Sequence, residues 1–299
     1  FFQSRGINQM KQIAIISGKG GTGKTVISAA LAALVKDKVM ADCDVDAANL
    51  YLLLSPEIQE EGFYSGGKKA SVDLDRCSGC RISLSVCRFS AIEPAEDGKI
   101  RIDPISCEGC GVCTHFCPTG AITMEKNIAG RWFISSTKYG PFVHARLTAG
   151  EENSGKLVSE IRQKAKELAE NNGLNYVIID GPPGIGCPVI ASLSGVNLAL
   201  IVTEPTLSGI HDMERVIQVA RHFGARVACA LNKFDLNVRI SAEVEKWCQA
   251  NSVPVVAKIP FSEAVVHSVV SGKPVTETGD DVISGEIKRM WAKILELIS

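Results

Sequence analysis

The stretch Gly18-Lys19-Gly20-Gly21-Thr22-Gly23-Lys24-Thr25 decides how the rest of the chain is interpreted. It follows an apolar run over 12–17, which predicts a buried strand, and it opens an amphipathic segment over 23–36, which predicts a helix. Glycines at such a junction let backbone N–H groups approach phosphate oxygens, and the helix N-terminus favours negative charge there. In such a loop Lys24 reaches the β- and γ-phosphates, and the Thr25 hydroxyl binds Mg²⁺. The sequence therefore predicts a nucleotide site.

The alternation of strand and helix continues beyond this loop. Further short apolar runs predict strands over 38–42, 176–180, 198–203, 226–231 and 255–259. Amphipathic segments predict helices over 155–171, 209–223, 240–250 and 283–298. We expect an α/β fold with a doubly wound, mostly parallel sheet of the P-loop NTPase type. The last helix is amphipathic but carries few positive charges, so we expect its apolar face to pack on the sheet.

Carboxylates and an amide stand where predicted strands end. Asp42 closes the strand over 38–42 and is followed by Asp44, and Asp180 closes the apolar run 176–179. Asn232 follows the strand over 226–231 in the same way. The carboxyl ends of parallel strands meet at the edge of the sheet where ligands bind. These side chains are therefore candidates for the nucleotide site.

Seven of the 11 cysteines fall between positions 77 and 117. The run Cys107-x2-Cys110-x2-Cys113-x3-Cys117-Pro118 matches the bacterial ferredoxin pattern, whereas zinc sites usually use two separated pairs of ligands. A related run starts about 30 residues earlier with Cys77-x2-Cys80 and ends at Cys87, so the segment contains an internal repeat. Ser83 stands where this earlier run should carry a cysteine.

In the ferredoxin pattern three close thiolates hold one cluster and the fourth reaches the other. Crossing the two runs in this way assigns a complete 4Fe–4S site to four cysteines, namely Cys87, Cys107, Cys110 and Cys113. The second site then has three thiolates and the serine, namely Cys77, Cys80, Cys117 and Ser83. This second site is left open as a 3Fe–4S cluster, a 4Fe–4S cluster with an exchangeable iron bound by Ser83 or water, or no cluster.

Composition and charge set the remaining expectations. The chain has 299 residues, is 45% hydrophobic and 22% charged, and carries a net charge of -1, so bulk electrostatics attract neither nucleic acid nor an anionic membrane. No apolar run approaches the roughly 20 residues of a membrane span and no signal peptide is recognised, so we expect a cytoplasmic protein. Residues 1–9, ahead of Met10, are interpreted as an expression remnant. We expect an ATPase domain over 10–70 and 127–299, interrupted by a ferredoxin-like module over 71–126.

Lys19 adds a second lysine at the start of the glycine-rich loop, which resembles the deviant P-loop of the MinD, ParA and nitrogenase iron-protein group. The resemblance implies an ATP-bound dimer, with an identical or a related ATPase, in which Lys19 reaches the nucleotide of the other subunit. It implies that Asp44 orients the attacking water and that Asp42 supports Mg²⁺ or the loop. Asp180 would hold Mg²⁺ through water, and Asn232 resembles a base-recognition residue whose amide pairs with adenine.

The order of deviant P-loop, cysteine-rich insertion and Asp180-Gly-Pro-Pro-Gly184 resembles MinD-superfamily ATPases with an inserted ferredoxin domain, often labelled cobyrinic acid a,c-diamide synthase. The resemblance implies a Mg²⁺-dependent ATPase with ATP, Mg²⁺ and one or two iron–sulfur clusters. As an ATP-switched dimer it would deliver electrons or clusters to a client metalloprotein or redox partner. A MinD-like positioning ATPase with an iron–sulfur sensor is the alternative. An ATP-dependent amide ligase is less favoured because no length remains for a glutaminase.

Cys187 lies seven residues after Asp180. The cluster-ligating cysteine of the nitrogenase iron protein has the same offset, so a dimer could bring two copies of Cys187 together. An incidental thiol at the start of the next helix is the alternative, and the sequence leaves this open.

Overall fold

The computed structural model describes residues 10–148, 150–151 and 154–299, so the predicted expression remnant over 1–9 lies outside the described residues. The chain divides into two compact units. The large unit comprises Phe1–Glu61, Trp132–Arg146 and Ser154–Ser299, and the small unit comprises Gly62–Arg131 and Leu147–Asn153.

Strands and helices alternate through most of the chain. The strands are β1 (Lys11–Ser17), β2 (Lys38–Asp42), β3 (Glu57–Val72), β4 (Ile92–Pro94), β5 (Ile100–Ile102), β6 (Ile122–Thr137), β7 (Gly140–Leu147), β8 (Tyr176–Pro183), β9 (Leu198–Thr203), β10 (Arg226–Asn232) and β11 (Val255–Ile259). The helices are α1 (Lys24–Leu34), α2 (Leu50–Leu54), α3 (Ile82–Val86), α4 (Val112–His115), α5 (Ser154–Asn171), α6 (Cys187–Leu193), α7 (Leu207–His222), α8 (Val238–Ala250), α9 (Glu263–Val270) and α10 (Asp281–Ile298). Phe234–Asn237 and Val275–Glu277 form short 3-10 helices.

The large unit is built on a mostly parallel sheet with the strand order β11-β10-β9-β1-β8-β2-β7-β6-β3. β1 runs parallel to both of its neighbours, β8 and β9, and β2 runs parallel to β8 and β7. Parallel neighbours require crossover connections, which the helices supply. Because β1, β2 and β8 are adjacent and point the same way, the loops that follow their carboxyl ends meet at one edge of the sheet.

Both faces of this sheet are covered. Ile13 and Ile15 of β1 belong to a core that includes α1 and α10, whereas Ala14 and Ile16 point to the opposite face and are equally inaccessible to solvent. On the sheet, α5 contacts β2, α6 contacts β8 and α7 contacts β9. The apolar face of α10 is buried, as its amphipathic pattern predicts. This arrangement is the predicted α/β fold.

The small unit has a short antiparallel pair, β4 and β5, and the short helices α3 and α4. Its two halves repeat one another in their backbone hydrogen bonds. Asp73 N donates to Ala121 O at 2.8 Å, and Asp103 N donates to Ala91 O at the same distance. The internal repeat of the sequence is therefore also a structural repeat.

Three strands and two helices outside the cysteine-rich segment were missed by the sequence analysis, namely β3, β6, β7, α2 and α9, and α6 was expected only as the helix that follows Cys187. β3 and β6 are long and largely polar, and most side chains of β3 are exposed or half-buried, so they lack the apolar alternation that identifies a strand. The small unit is accordingly wider than the segment over 71–126, because the adjoining parts of β3 and β6 belong to it.

Candidate nucleotide site and cysteine-lined cavities

The glycine-rich loop connects β1 to α1 and is closely packed. Gly21 and Gly23 have φ of 78° and 92°, in the left-handed region that favours glycine. A Cβ atom on Gly23 would lie 2.3 Å from Asn232 Nδ2, and one on Gly18 would lie 2.3 Å from Asp212 Cβ. Side chains at Gly18 and Gly23 are therefore excluded by their neighbours, and the loop keeps its backbone open to a ligand.

Two adjoining cavities flank this loop. A cleft of about 690 Å³ is lined by Lys24, Thr25 and glycines of the loop, with Asp44 on its wall. A second, apolar cavity of about 350 Å³ is lined by Asn232 and by side chains of α9 such as Val265. Gly21, Gly23, Val26 and Val269 line both cavities. A cleft that carries a lysine and carboxylates and continues into an apolar cavity suits a phosphate chain attached to a planar base.

Lys24 is only 6% exposed and lies among three carboxylates. Burial lowers the pKa of Lys24, and the charges of Asp180, Asp44 and Asp42 oppose that change. Burial raises the pKa of Asp44, while Lys24 lowers it. The site therefore holds a buried cation beside acidic groups at the start of α1, where phosphates and Mg²⁺ bind in glycine-rich loops.

Asp42 and Asp180 form a buried pair behind the cleft. They are register partners on β2 and β8 and are 0% and 1% exposed. Asp42 accepts hydrogen bonds from the backbone N–H groups of Asp44 at 3.1 Å and Leu50 at 3.2 Å, so it supports the loop after β2. Burial raises the pKa of Asp42, and the charge of Asp180 raises it further.

Asp180 accepts a hydrogen bond from Ser28 Oγ at 2.8 Å. Burial raises its pKa to about 6, against the effect of the Ser28 hydrogen bond and the Lys24 charge. Sequence reasoning missed Ser28, because a serine within α1 carries no signal until folding brings it to β8.

Lys19 contacts residues of its own chain. Its Nζ lies 2.7 Å from Glu204 Oε1 and donates to Thr206 Oγ1 at 3.1 Å. Lys233 Nζ lies 3.3 Å from the other oxygen of Glu204 and also 3.3 Å from Gly21 O. Burial raises the pKa of Glu204, but the hydrogen bonds and charges of both lysines outweigh it, so the pKa is lowered. Glu204 was missed by the sequence analysis, although it follows β9 as Asp44 and Asn232 follow or close their strands.

Asn232 holds the loop. Its Nδ2 donates to Thr22 O at 2.8 Å and its Oδ1 accepts from the N–H of Lys233 at 3.0 Å. It also lines the apolar cavity. Its amide is therefore already used in binding the loop backbone, and its recognition of adenine stays a prediction.

Comparison with known proteins identifies the family. The sequence profile of the CobQ/CobB/MinD/ParA nucleotide binding domain matches residues 13–275. The chain belongs to this family. An uncharacterized protein of Methanocaldococcus jannaschii is 34% identical over 292 residues, which cover 96% of this chain and 97% of that protein. The septum site-determining protein MinD of Thermotoga maritima is 24% identical over 294 residues, 94% of this chain and 87% of that protein.

Solved structures agree in fold. The cell division ATPase MinD of Pyrococcus furiosus has a TM-score of 0.57 at 19% identity, and the match covers 96% of this chain and 99% of that one. The septum site-determining protein MinD of Pyrococcus horikoshii, complexed with Mg-ADP, has a TM-score of 0.58 at 17% identity and covers 96% of this chain and 97% of its own. The chain thus shares the fold of these MinD proteins.

In this family member the small unit contains two cavities lined by cysteines. The first is lined by Cys87 of the earlier run and by Cys107, Cys110 and Cys113 of the later run. Burial raises the pKa of Cys113, and the neighbouring thiol groups of Cys107, Cys110 and Cys87 raise it further. The structure therefore brings together the four cysteines that the crossed pattern assigns to one site.

The second cavity is lined by Cys77, Cys80 and Ser83 of the earlier run and by Cys117 of the later run. The Sγ atom of Cys117 lies 3.7 Å from Thr119 Oγ1. Burial raises the pKa of this thiol, but the Thr119 hydroxyl and the backbone N–H groups of residues 119, 121 and 122 outweigh that effect and lower it. Donors directed at this sulfur stabilise its thiolate form.

Glycines shape both cavities in the same way. Gly79 and Gly109 have φ of 69° and 66°. A Cβ atom on Gly79 would lie 2.6 Å from the carbonyl oxygen of Gly98, and one on Gly109 would lie 2.1 Å from that of Lys68. Each Cys-x-Gly-Cys turn therefore requires its glycine.

The other cysteines fall into two groups. Cys43, Cys229 and Cys248 are 0% exposed, as expected for small core residues. Cys187 is exposed at the start of α6. Within the described residues, a search for three or more His, Cys, Asp or Glu side chains that could hold a metal ion finds no group. None of the helices formed by the described residues is long and apolar enough to cross a membrane.

Proposed function

We propose that this chain is an ATP-hydrolysing switch that carries iron–sulfur clusters and delivers electrons or clusters to a client metalloprotein. One observation carries the proposal. The same chain combines a MinD/ParA-type nucleotide cleft in its large unit with two cavities in its small unit that are lined by crossed sets of cysteines.

In the nucleotide cleft each residue has a separate role in phosphoryl transfer. Lys24 and the N–H groups of the loop bind the β- and γ-phosphates, and the Thr25 hydroxyl and Asp180, through water, hold Mg²⁺. Mg²⁺ supplies charge neutralisation on the phosphate oxygens. Asp44, on the wall of the cleft, orients the attacking water. Because Asp180 precedes the Gly-Pro-Pro-Gly loop, loss of the γ-phosphate is transmitted to that loop.

The donor sets of the small unit fit iron–sulfur clusters. Each cavity collects cysteines from both halves of the repeat, which is how ferredoxin-type runs share their ligands. A single zinc ion needs its sulfurs about 3.8 Å apart, given Zn–S bonds of about 2.3 Å, whereas cluster thiolates bind different irons and stand further apart.

Clusters in these cavities would supply one-electron transfer. Cys107 Sγ accepts a hydrogen bond from the N–H of Ala70 at 3.5 Å, and Thr119 Oγ1, 3.7 Å from Cys117 Sγ, would donate to that sulfur as a thiolate. Such bonds stabilise the more negative, reduced cluster and raise its potential. A match of 59 residues, 41% identical, to the indolepyruvate oxidoreductase subunit IorA of Methanothermobacter marburgensis covers 20% of this chain and 9% of that protein, which is named as an oxidoreductase.

The switch itself is a dimer closed by ATP, with an identical or a related ATPase as partner. Lys19, held by Glu204 on its own chain, exchanges this contact for the nucleotide of the partner subunit. Hydrolysis then resets the dimer.

A MinD-like positioning ATPase is the second candidate, and the relatives named MinD favour it. Its test is binding to a surface. In this chain α10 has already buried Ile287, Met290 and Ile294 in the large unit, so that helix has no free apolar face for a membrane.

The proposal is tested on the full chain purified without oxygen. Iron and sulfide are counted, and ATP hydrolysis is measured with and without Mg²⁺. Transfer is then followed from the dithionite-reduced protein to cytochrome c, and of clusters to an apo-ferredoxin, each with ATP and with ADP. We expect bound iron, Mg²⁺-dependent hydrolysis and at least one transfer rate that depends on the nucleotide.

Two results would overturn the proposal. One is protein that hydrolyses ATP but binds no iron after anaerobic reconstitution. The other is iron-loaded protein that transfers neither electrons nor clusters but sediments with anionic lipid vesicles only when ATP is present, which would establish the positioning function instead.

A further inference from the structure

The two cysteine-lined cavities of the small unit differ in one ligand position. We propose that Ser83 marks an exchangeable iron, which leaves and re-enters the cavity of Cys77, Cys80 and Cys117 as a ferrous ion. This inference rests on the proposed function, because it requires clusters in both cavities. It assigns ferrous iron exchange to one cavity and electron storage to the other.

The backbone of Ser83 repeats that of Cys113. Each follows a residue in the left-handed region two positions earlier, Arg81 with φ of 61° and Gly111 with φ of 73°. Each sits in a turn closed by the same bond, from Leu84 N to Arg81 O and from Thr114 N to Gly111 O, both 3.1 Å. The two side chains therefore leave equivalent points of equivalent turns.

Burial shows that the equivalence extends to the side chains. Ser83 is 6% exposed and Cys113 is 8% exposed, and each lines the cavity of its own half. The two cavities also have the same volume, about 20 Å³ each. The cavity of Ser83 therefore matches its counterpart in size.

The Ser83 hydroxyl has no partner in its own unit. Among the described residues no hydrogen bond involves Ser83 Oγ, and this oxygen is not one of the fully buried polar atoms that lack a partner, so it stays accessible although most of the residue is buried. The hydroxyl is therefore accessible to a ligand in the cavity that Ser83 lines. An iron at the fourth corner of the cavity would be that partner.

Ligand chemistry makes this iron the labile one. Thiolates are the soft ligands that iron–sulfur clusters select, whereas a hydroxyl oxygen is harder and carries no charge until it loses its proton. Three corners of the cluster are held by Cys77, Cys80 and Cys117, and the fourth by the oxygen of Ser83. The weakest protein–iron bond is therefore at Ser83.

The exchange step balances without an oxidant. The bonds from one Fe²⁺ to Ser83 Oγ and to three cluster sulfides break, Oγ recovers its proton from water, and 4Fe–4S with charge 2+ becomes neutral 3Fe–4S. No electron is transferred, because the departing ion carries two positive charges. The reverse step reloads the site from free ferrous iron.

The test compares the reconstituted full chain with two variants. Ser83→Cys supplies the missing thiolate, and Ser85→Cys places a thiol at an exposed position of the same helix as the matched control. Each protein is exposed without oxygen to bathophenanthroline disulfonate, and released Fe²⁺ is followed by absorbance. A sample is then oxidised with ferricyanide and examined by EPR for a three-iron signal.

We expect wild type and Ser85→Cys to release about one iron per chain quickly and to give the three-iron signal. Ser83→Cys should release that iron at least about tenfold more slowly and give little of the signal. Equal release from wild type and Ser83→Cys would overturn the exchange proposal. So would a wild type holding about four irons when Ser83→Cys holds about eight, because the native cavity would then be empty. Absence of iron from every protein would instead overturn the proposed function.

Discussion

The two units of the chain are stabilised in different ways. In the large unit a continuous core of aliphatic side chains fills both faces of the sheet, and most of β1, β2, β8 and β9 is inaccessible to solvent. In the small unit the buried cluster has three isoleucines and Cys113, and Cys77, Cys87 and Cys117 pack around it. The small unit therefore uses potential metal ligands as part of its core, whereas the large unit needs none.

This difference indicates which interactions stabilise each unit. The segment Gly62–Arg131 has roughly 70 residues, and a core of that size rarely supplies more than about 3–5 kcal/mol. Small domains commonly make up the shortfall with a metal site, so that binding free energy becomes folding free energy. We infer that the large unit folds on its own core and that the small unit depends on its clusters.

Two variants should separate the ATPase activity of the large unit from the iron binding of the small unit. Lys24→Ala removes the cation to which we assign the β- and γ-phosphates, so we expect ATP hydrolysis to fall at least about 100-fold with iron content unchanged. Cys110→Ala should remove a cluster ligand and leave hydrolysis within about twofold of wild type. Steady-state phosphate release and iron analysis on the same preparations measure both effects.

Loss of both properties in either variant would contradict the comparison, because it would mean that the units fold together. Lys293→Ala, at an exposed position of α10, serves as a control for lysine removal.

Removal of iron should destabilise one unit selectively. After anaerobic chelation we expect fast hydrogen exchange at the amides of β4 and β5 and unchanged protection in β1 and β8, since only the small unit loses bonds. A loss of at least about 3 kcal/mol in the small unit would bring it to the margin of stability. If the amides of β4 and β5 stay protected from hydrogen exchange after complete iron removal, the apolar cluster alone is sufficient to stabilise the small unit.

The sequence predicted a feature best where the residue type at a position has a single physical explanation. Gly21 and Gly23 predicted a loop whose backbone can approach phosphates, and the structure adds that both have left-handed φ, 78° and 92°, which also favours glycine. The strands that carry Asp42 and Asp180 were predictable because each begins as an apolar run that reaches a charge, although β8 continues beyond Asp180 to Pro183. The crossed cysteine sets were predicted from the ligand sharing of the ferredoxin pattern, and each set lines one cavity of the structure.

Other features had no local signal. Most of β3 is polar and exposed, so its place in the sheet depends on backbone pairing rather than on apolar alternation. Ser28 meets Asp180 across 152 positions of sequence, which only the tertiary fold brings together. Glu204 did have a signal, because it follows β9 at the same edge of the sheet as the predicted carboxylates.

The variant Asp180→Asn tests how the stability of the large unit depends on pH. The native pKa of Asp180, about 6, lies above its ordinary value of 3.8. Native protein therefore keeps this proton after the unfolded chain has lost it, and the resulting stability is full below about pH 4 and is lost as pH rises through about 6. We expect the nucleotide-free variant to match wild type near pH 4 and to exceed it by about 1–3 kcal/mol at pH 7.

Urea unfolding at several pH values measures this difference, and Glu243→Gln, at an exposed position of α8, is the control. Adding Mg-ADP should stabilise wild type more than Asp180→Asn, because the metal needs the carboxylate. A variant that is less stable than wild type at pH 7 would show that the Ser28 hydrogen bond outweighs the cost of the buried charge.

The smallest expected effect concerns the contact that keeps Lys19 on its own chain. Glu204→Gln weakens the ion pairs to Lys19 and Lys233, whose side chains are 29% and 30% exposed, so the change is worth about 0.2–1 kcal/mol. If Lys19 must leave Glu204 to reach a partner subunit, ATP-dependent dimerisation should strengthen by about 1.5–5-fold. Analytical ultracentrifugation with ATP and with ADP measures it, and Glu214→Gln on α7 is the control.

The same variant distinguishes a specific role of Lys19 from a general charge effect. In a Lys19→Ala background Glu204→Gln should no longer change dimerisation, because the contact that it weakens is already absent. Added salt should reduce the difference between wild type and Glu204→Gln, since a partly exposed ion pair is screened. If Glu204→Gln strengthens dimerisation equally with and without Lys19, the effect comes instead from Lys233 and its contact with the loop carbonyl of Gly21.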